Sequence, residues 1–118
     1  MSDDEGNVYC QSLAIARMVA INHGFYSSDP MEAYLIDSLV DGSVDVVNPC
    51  MGDMLKGIPD ADAFLARIEG LVKVVEARMT KHGKKYSSGD KLSMADFWCT
   101  QLHLNHIMSE HFAYKDQI

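Results

Sequence analysis

The chain has 118 residues, 47% of them apolar and 23% charged, the mix of one ordinary globular domain. Its net charge of -7 argues against a protein held to nucleic acid by nonspecific phosphate contacts. No apolar run approaches the roughly 18 residues of a membrane span, and the acidic start Met1-Ser2-Asp3-Asp4-Glu5 lacks the basic and apolar regions of a secretory signal.

Cys10, Cys50 and Cys99 are widely spaced and odd in number. They read as free thiols in the cytoplasm or another reducing compartment, a mitochondrion included, with no disulfide framework. In chain order, Gly6-Asn7 is a turn signal and Val8-Tyr9-Cys10 has the composition of one short strand. From Ser12 the chain reads as helix over 12–23. Leu13, Ile15, Ala16, Met18, Val19 and Ala20 make it apolar almost all round, and Gly24 supplies a left-handed stop. A second helix over 29–47 opens with Ser28 or Asp29 as cap and Pro30 in the first turn. Gly42 within it marks close packing or a bend.

Pro49, Gly52, Gly57 and Pro59 predict a loop over 48–59 with one short turn. The third helix, 60–82, carries Phe64, Leu65, Ile68, Leu71, Val72, Val75 and Met79 at helical spacing. We expect Phe64, Ile68, Leu71, Val72 and Val75 to be buried. Lys81 to Lys85 place basic side chains at the negative end of its dipole. The last helix, 93–110, opens on a capping box in which Ser93 caps the amide of Asp96 and Asp96 reaches back to Ser93. Leu92 and Phe97 stand at the positions of a hydrophobic staple. Four helices and at most one short strand define an all-α helical bundle.

Three segments together resemble the cytosolic glutathione transferases. Tyr9-Cys10-Gln11-Ser12-Leu13-Ala14-Ile15-Ala16-Arg17 looks like the strand-to-helix junction ending that family's thioredoxin-like domain. Asp37-Ser38-Leu39-Val40-Asp41-Gly42-Ser43-Val44-Asp45 is similar to a stretch on the first long helix of its carboxy-terminal domain. Gly89 to Phe97 resembles the capping box that nucleates that domain. The resemblance implies a division into residues 1–24, a remnant of the glutathione-binding domain, and residues 25–118, the carboxy-terminal helical domain. It implies that Gln11 and Ser12 hold the γ-glutamyl end of glutathione, and that Asp45 reaches a glutathione amino group across a dimer interface. A helix start such as Ser12 favours anions on physical grounds. The chain departs from the family pattern where 48–58 looks shortened. It also departs where the amino-terminal stretch is absent, with its thiol-activating Tyr, Ser or Cys and its cis-proline loop.

Each site reading has a plainer counterpart. Ser12 is then a helix cap, and Asp41 and Asp45 are solvated charges. Tyr9 sits where the family uses a core residue, and a phenol with its usual pKa near 10 is a poor thiolate partner. Cys99, His103, His106 and Glu110 form one stripe. A straight helix spreads them over roughly 16 Å, so we assign no metal. The eight methionines fall mostly at core spacing.

The functional expectation is a non-catalytic, glutathione-transferase-like interaction subunit, in a homodimer or larger assembly, contacting its partner through residues 1–20 and the 37–45 face. Glutathione enters as a substrate when the missing half is supplied. The alternative is a fragment of an active transferase that conjugates glutathione to electrophiles or reduces peroxides. A third possibility is an unrelated helical adaptor whose likeness is accidental.

Overall fold

A computed structural model describes residues 2–57 and 60–102. Four helices follow in order: α1 Ser12–Asn22, α2 Pro30–Leu55, α3 Ala61–His82 and α4 Met94–Leu102. No sheet forms among the described residues. Val8 makes one isolated antiparallel bridge with Ser2, so the expected Val8-Tyr9-Cys10 strand is replaced by a closed turn. Asp3 closes it, accepting from the amides of Glu5 and Asn7, the Asn7 side chain and the Tyr9 hydroxyl at 2.8–3.0 Å. That network holds the Asp3 carboxyl down at about 2 and pushes the Tyr9 hydroxyl up.

The helix boundaries follow local chemistry. Gly24, at φ 76, lets the chain leave α1, and the Phe25 amide bonds back to the Ala20 carbonyl at 2.8 Å. Asp29, not Ser28, caps α2, accepting from the amides of Met31 and Glu32 at 2.9 Å each. Asp60 caps α3 through the Ala63 amide.

The loop expected over 48–59 is corrected by the structure: α2 runs through Pro49 and Gly52 to Leu55. An interior proline removes a backbone bond and costs about 3 kcal/mol. Burial offsets that cost. Val46, Cys50 and Phe64 form a core patch joined by Val47, Ile68 and Leu71. Large apolar side chains buried this way contribute about 1.5–3 kcal/mol each. Tertiary packing thus overrides the local helix-breaking signal.

The main core lies between α1, α2 and α4 and contains Ala20, Ile36, Leu39, Val40, Met94 and Ala95. Leu71 touches both core regions. A Cβ on Gly42 would stand 3.2 Å from Leu71 Cδ1, which selects close packing as the role of that glycine. On α3, Phe64 is 1% exposed, while Ile68, Leu71 and Val75 are half-buried. Val72 is 46% exposed, contrary to expectation, because the buried stripe is narrow and Val72 lies at its margin. The part of the last helix expected beyond residue 102 lies outside the described residues, as do His103, His106 and Glu110.

Candidate functional site

The corner before α1 is the first candidate. Gln11 occupies the N-cap position at φ 68 and makes no side-chain capping bond. A non-glycine residue held at positive φ is strained, and such strain clusters at ligand sites. Ser12 is the first residue of α1 itself, so the plain reading of its hydroxyl as the N-cap does not hold. Both residues are exposed.

Gln11 and Ser12 share the lining of an open cavity of about 360 Å³ with Leu13 from α1, Ser43, Val44, Val47 and Asn48 from α2, and Trp98 and Gln101 from α4. The structure therefore brings together two of the three residues assigned by resemblance. Asp45 is exposed on α2 and outside this lining. It adds no charge to this cavity. Trp98, Gln101 and Asn48 were missed in the sequence. Their signal was helical spacing: Ser43, Val44, Val47 and Asn48 lie on one face of α2, and Trp98 and Gln101 are three apart on α4.

The cavity lining is neutral. Its polar side-chain groups are two amides of glutamine, one of asparagine, the Trp98 indole N–H and two serine hydroxyls. One of those, Ser43, is 1% exposed and donates to the Leu39 carbonyl at 2.8 Å. Tyr9 and Cys10 are outside the lining. Tyr9 donates to Asp3 Oδ2 at 2.8 Å, which removes it further from a thiol-activating role.

Asp37, the first residue of the second family-like stretch, is structural. Its Oδ1 pairs with Arg17 Nε at 2.9 Å and its Oδ2 accepts from the Tyr26 hydroxyl at 2.6 Å. It ties α1 and the following turn to α2. The hydrogen bond to Asp37 raises the Arg17 pKa, whereas burial is the main cause of the raised Tyr26 pKa.

The capping box forms with altered bonding. Asp96 Oδ2 accepts from the Ser93 amide at 2.9 Å and the Ser93 hydroxyl at 3.1 Å, while Oδ1 accepts from the Ser87 amide at 2.9 Å. Asp96 reaches back as expected. The Ser93 hydroxyl, however, turns to that carboxylate and to Ser88 Oγ. Phe97 is set edge-on against Phe25, with ring centroids 5.2 Å apart. The Met94 amide donates to the Phe25 carbonyl at 2.9 Å, so the start of α4 is also tied to the α1–α2 turn.

All three cysteines are free. Burial raises the thiols of Cys50 and Cys99, although the Arg67 guanidinium, 3.9 Å from Cys50 Sγ, opposes the effect at Cys50. No described helix is long and apolar enough to cross a membrane.

An all-α bundle with this capping box and this Gln11-Ser12 corner has the character of the helical carboxy-terminal domain of glutathione transferases. Comparison with curated proteins bears out that resemblance. The chain is 30% identical over 112 residues to human glutathione S-transferase A1, covering 86% of this chain and 48% of that protein. Against Cavia porcellus glutathione S-transferase A it is 30% identical over 107 residues, covering 86% and 49%. Against Sus scrofa glutathione S-transferase alpha M14 it is 29% identical over 112 residues, covering 86% and 48%. The chain is glutathione-transferase-like, and it spans about half the length of the curated relatives it matches. No family model and no solved structure matches it.

Proposed function

We propose that this chain is a non-catalytic, glutathione-transferase-like structural or interaction subunit, acting in a homodimer or larger assembly. Residues 1–24 are assigned to the end of a glutathione-binding domain and 25–118 to the helical domain. The observation that carries the reading is the neutral lining of the Gln11-Ser12 cavity. Glutathione brings two carboxylates and an ammonium, and burying such charges requires charged or multiple hydrogen-bonding partners. Gln11 and Ser12 offer a share of those contacts, so glutathione binding depends on groups from elsewhere, Asp45 of a neighbouring copy among them. Val19 and Ile21 on α1 are 45% and 56% exposed, which supports a partner surface there.

Strain at Gln11 favours the alternative, a fragment of an active transferase that conjugates glutathione to electrophiles or reduces peroxides. Two measurements separate the readings. In the first, the purified chain is assayed with glutathione and a generic aryl halide. We expect no turnover above background. Robust turnover abolished by Ser12→Ala would overturn the proposal in favour of the alternative. In the second, light scattering coupled to size-exclusion chromatography should give a mass above the 13.1 kDa chain. A monomer at micromolar concentration, with 12–22 protected from hydrogen exchange, would remove the assembly reading.

A further inference from the structure

A larger cavity lies away from the Gln11-Ser12 corner. It has a volume of about 500 Å³ and is walled by the 24–28 turn, the start of α2, the carboxy-terminal end of α3 and the 84–93 connection. No residue of this wall belongs to the Gln11-Ser12 cavity. In a chain of net charge -7, four basic side chains border it, Arg78, His82, Lys84 and Lys91, against two carboxylates, Glu32 and Asp90.

The carboxylates leave part of that basic set uncompensated. Asp90 is ion-paired with Lys84, and Glu32 accepts from the Ser27 hydroxyl. Among the described residues, neither Arg78 nor His82 has a carboxylate within ion-pair range. These two stand one turn apart on α3, the spacing at which helical side chains meet. Arg78 is half-buried, and its Nη1 donates to Ser38 Oγ at 2.9 Å and more weakly to the Leu35 carbonyl at 3.4 Å. That fixes the guanidinium between α2 and α3 with further donors unassigned.

A second observation is independent of charge. Ser87, in the same wall, is 9% exposed, and its Oγ is buried with no hydrogen-bond partner. Its amide is held by Asp96, so the residue is fixed in place while its hydroxyl has no partner. A buried orphan hydroxyl has a desolvation cost that a ligand oxygen removes.

We infer that this cavity binds a tetrahedral oxyanion, a phosphate or phosphate-ester group, through Arg78, His82 and the Ser87 hydroxyl. A guanidinium fork matches two oxygens of such a group. A serine hydroxyl completes a third contact, and Lys84 and Lys91 add attraction at the rim. This assignment is separate from the proposed subunit role.

Calorimetric titration of the full chain with inorganic phosphate, methyl phosphate and acetate, at low ionic strength, tests the site. We expect saturable binding of both phosphates, and none of acetate at the same concentration. Tighter binding of methyl phosphate assigns the site to a phosphorylated molecule, and tighter binding of phosphate assigns it to the free anion. His82→Gln and Ser87→Ala should each weaken binding about threefold to tenfold, as expected for loss of one hydrogen-bonding contact. Lys73→Gln, outside the cavity, should change it little. Arg78→Gln should abolish binding, and the His82 and Ser87 variants keep the test valid if that protein fails to fold. Absence of saturable phosphate binding, equal binding of acetate, or equal loss in the Lys73 variant would overturn the inference.

Discussion

Removing the Asp96 carboxylate should cost more than a helix cap alone. In Asp96→Ala the Ser93 amide loses its partner at the start of α4, a loss worth about 1 kcal/mol. The Ser87 amide loses its partner as well, in a residue that is 9% exposed. A buried backbone donor left unpaired costs about 1–3 kcal/mol. The sum is about 3 kcal/mol, and for a domain of this size each kcal/mol moves the melting temperature by roughly 4 °C, so a fall of about 12 °C is expected. Asp96→Asn keeps one acceptor oxygen and turns an NH2 toward the other amide, so its fall should be intermediate. Thermal unfolding followed by circular dichroism reads both. A fall below about 4 °C for Asp96→Ala, the yield of one cap, would refute the double role of this carboxylate.

Phe64→Ala should destabilise by about 3–5 kcal/mol, whereas Val72→Ser should stay within about 0.5 kcal/mol in urea unfolding; equal effects would contradict the packing of α3. Asp37→Ala should cost about 2 kcal/mol by separating Arg17 and Tyr26 from α2, a cost that an Arg17→Ala background should reduce. Iodoacetamide should label exposed Cys10 first, because burial shields Cys50 and Cys99 and raises their thiols, leaving less thiolate at any given pH; mass spectrometry of the peptides shows the order, and early labelling of Cys99 would contradict it. The Asp3 turn should be fully formed above the ordinary carboxyl value of 3.8 and lost as pH falls through about 2, since the folded pKa is depressed; an Asn7 amide titration by NMR with its midpoint near 3.8 would disprove that network.

Local chemistry made much of the fold legible. Asp29-Pro30, Gly24 and Ser93-x-x-Asp96 set boundaries through contacts made within a few residues. The helix over 48–55 is not legible in the sequence because Pro49 and Gly52 speak against helix locally, while the packing of Val46 and Cys50 on Phe64 is fixed by residues far along the chain. Val72 was misplaced for a related reason: periodicity identifies a face but not how wide a neighbouring helix makes it. Gln11 and Ser12 were visible through their resemblance, whereas Trp98 and Gln101 became part of the same cavity only once α4 was placed beside α1 and α2.

The placement of α4 links stability to the candidate site. Trp98 and Gln101 wall the Gln11-Ser12 cavity from α4, two and five residues after Asp96. Asp96 fixes the start of that helix to the 87–93 segment, and the Met94 amide fixes it to Phe25 beyond the end of α1. One wall of the cavity is thus set by bonds outside its lining. The same Ser87 amide bond fixes part of the wall of the larger basic cavity. Loosening Asp96 therefore disturbs two separate cavities through one helix start, while substitutions at exposed Asp45 leave both walls intact. That difference distinguishes a residue that shapes both cavities by positioning from one that takes no part in either wall.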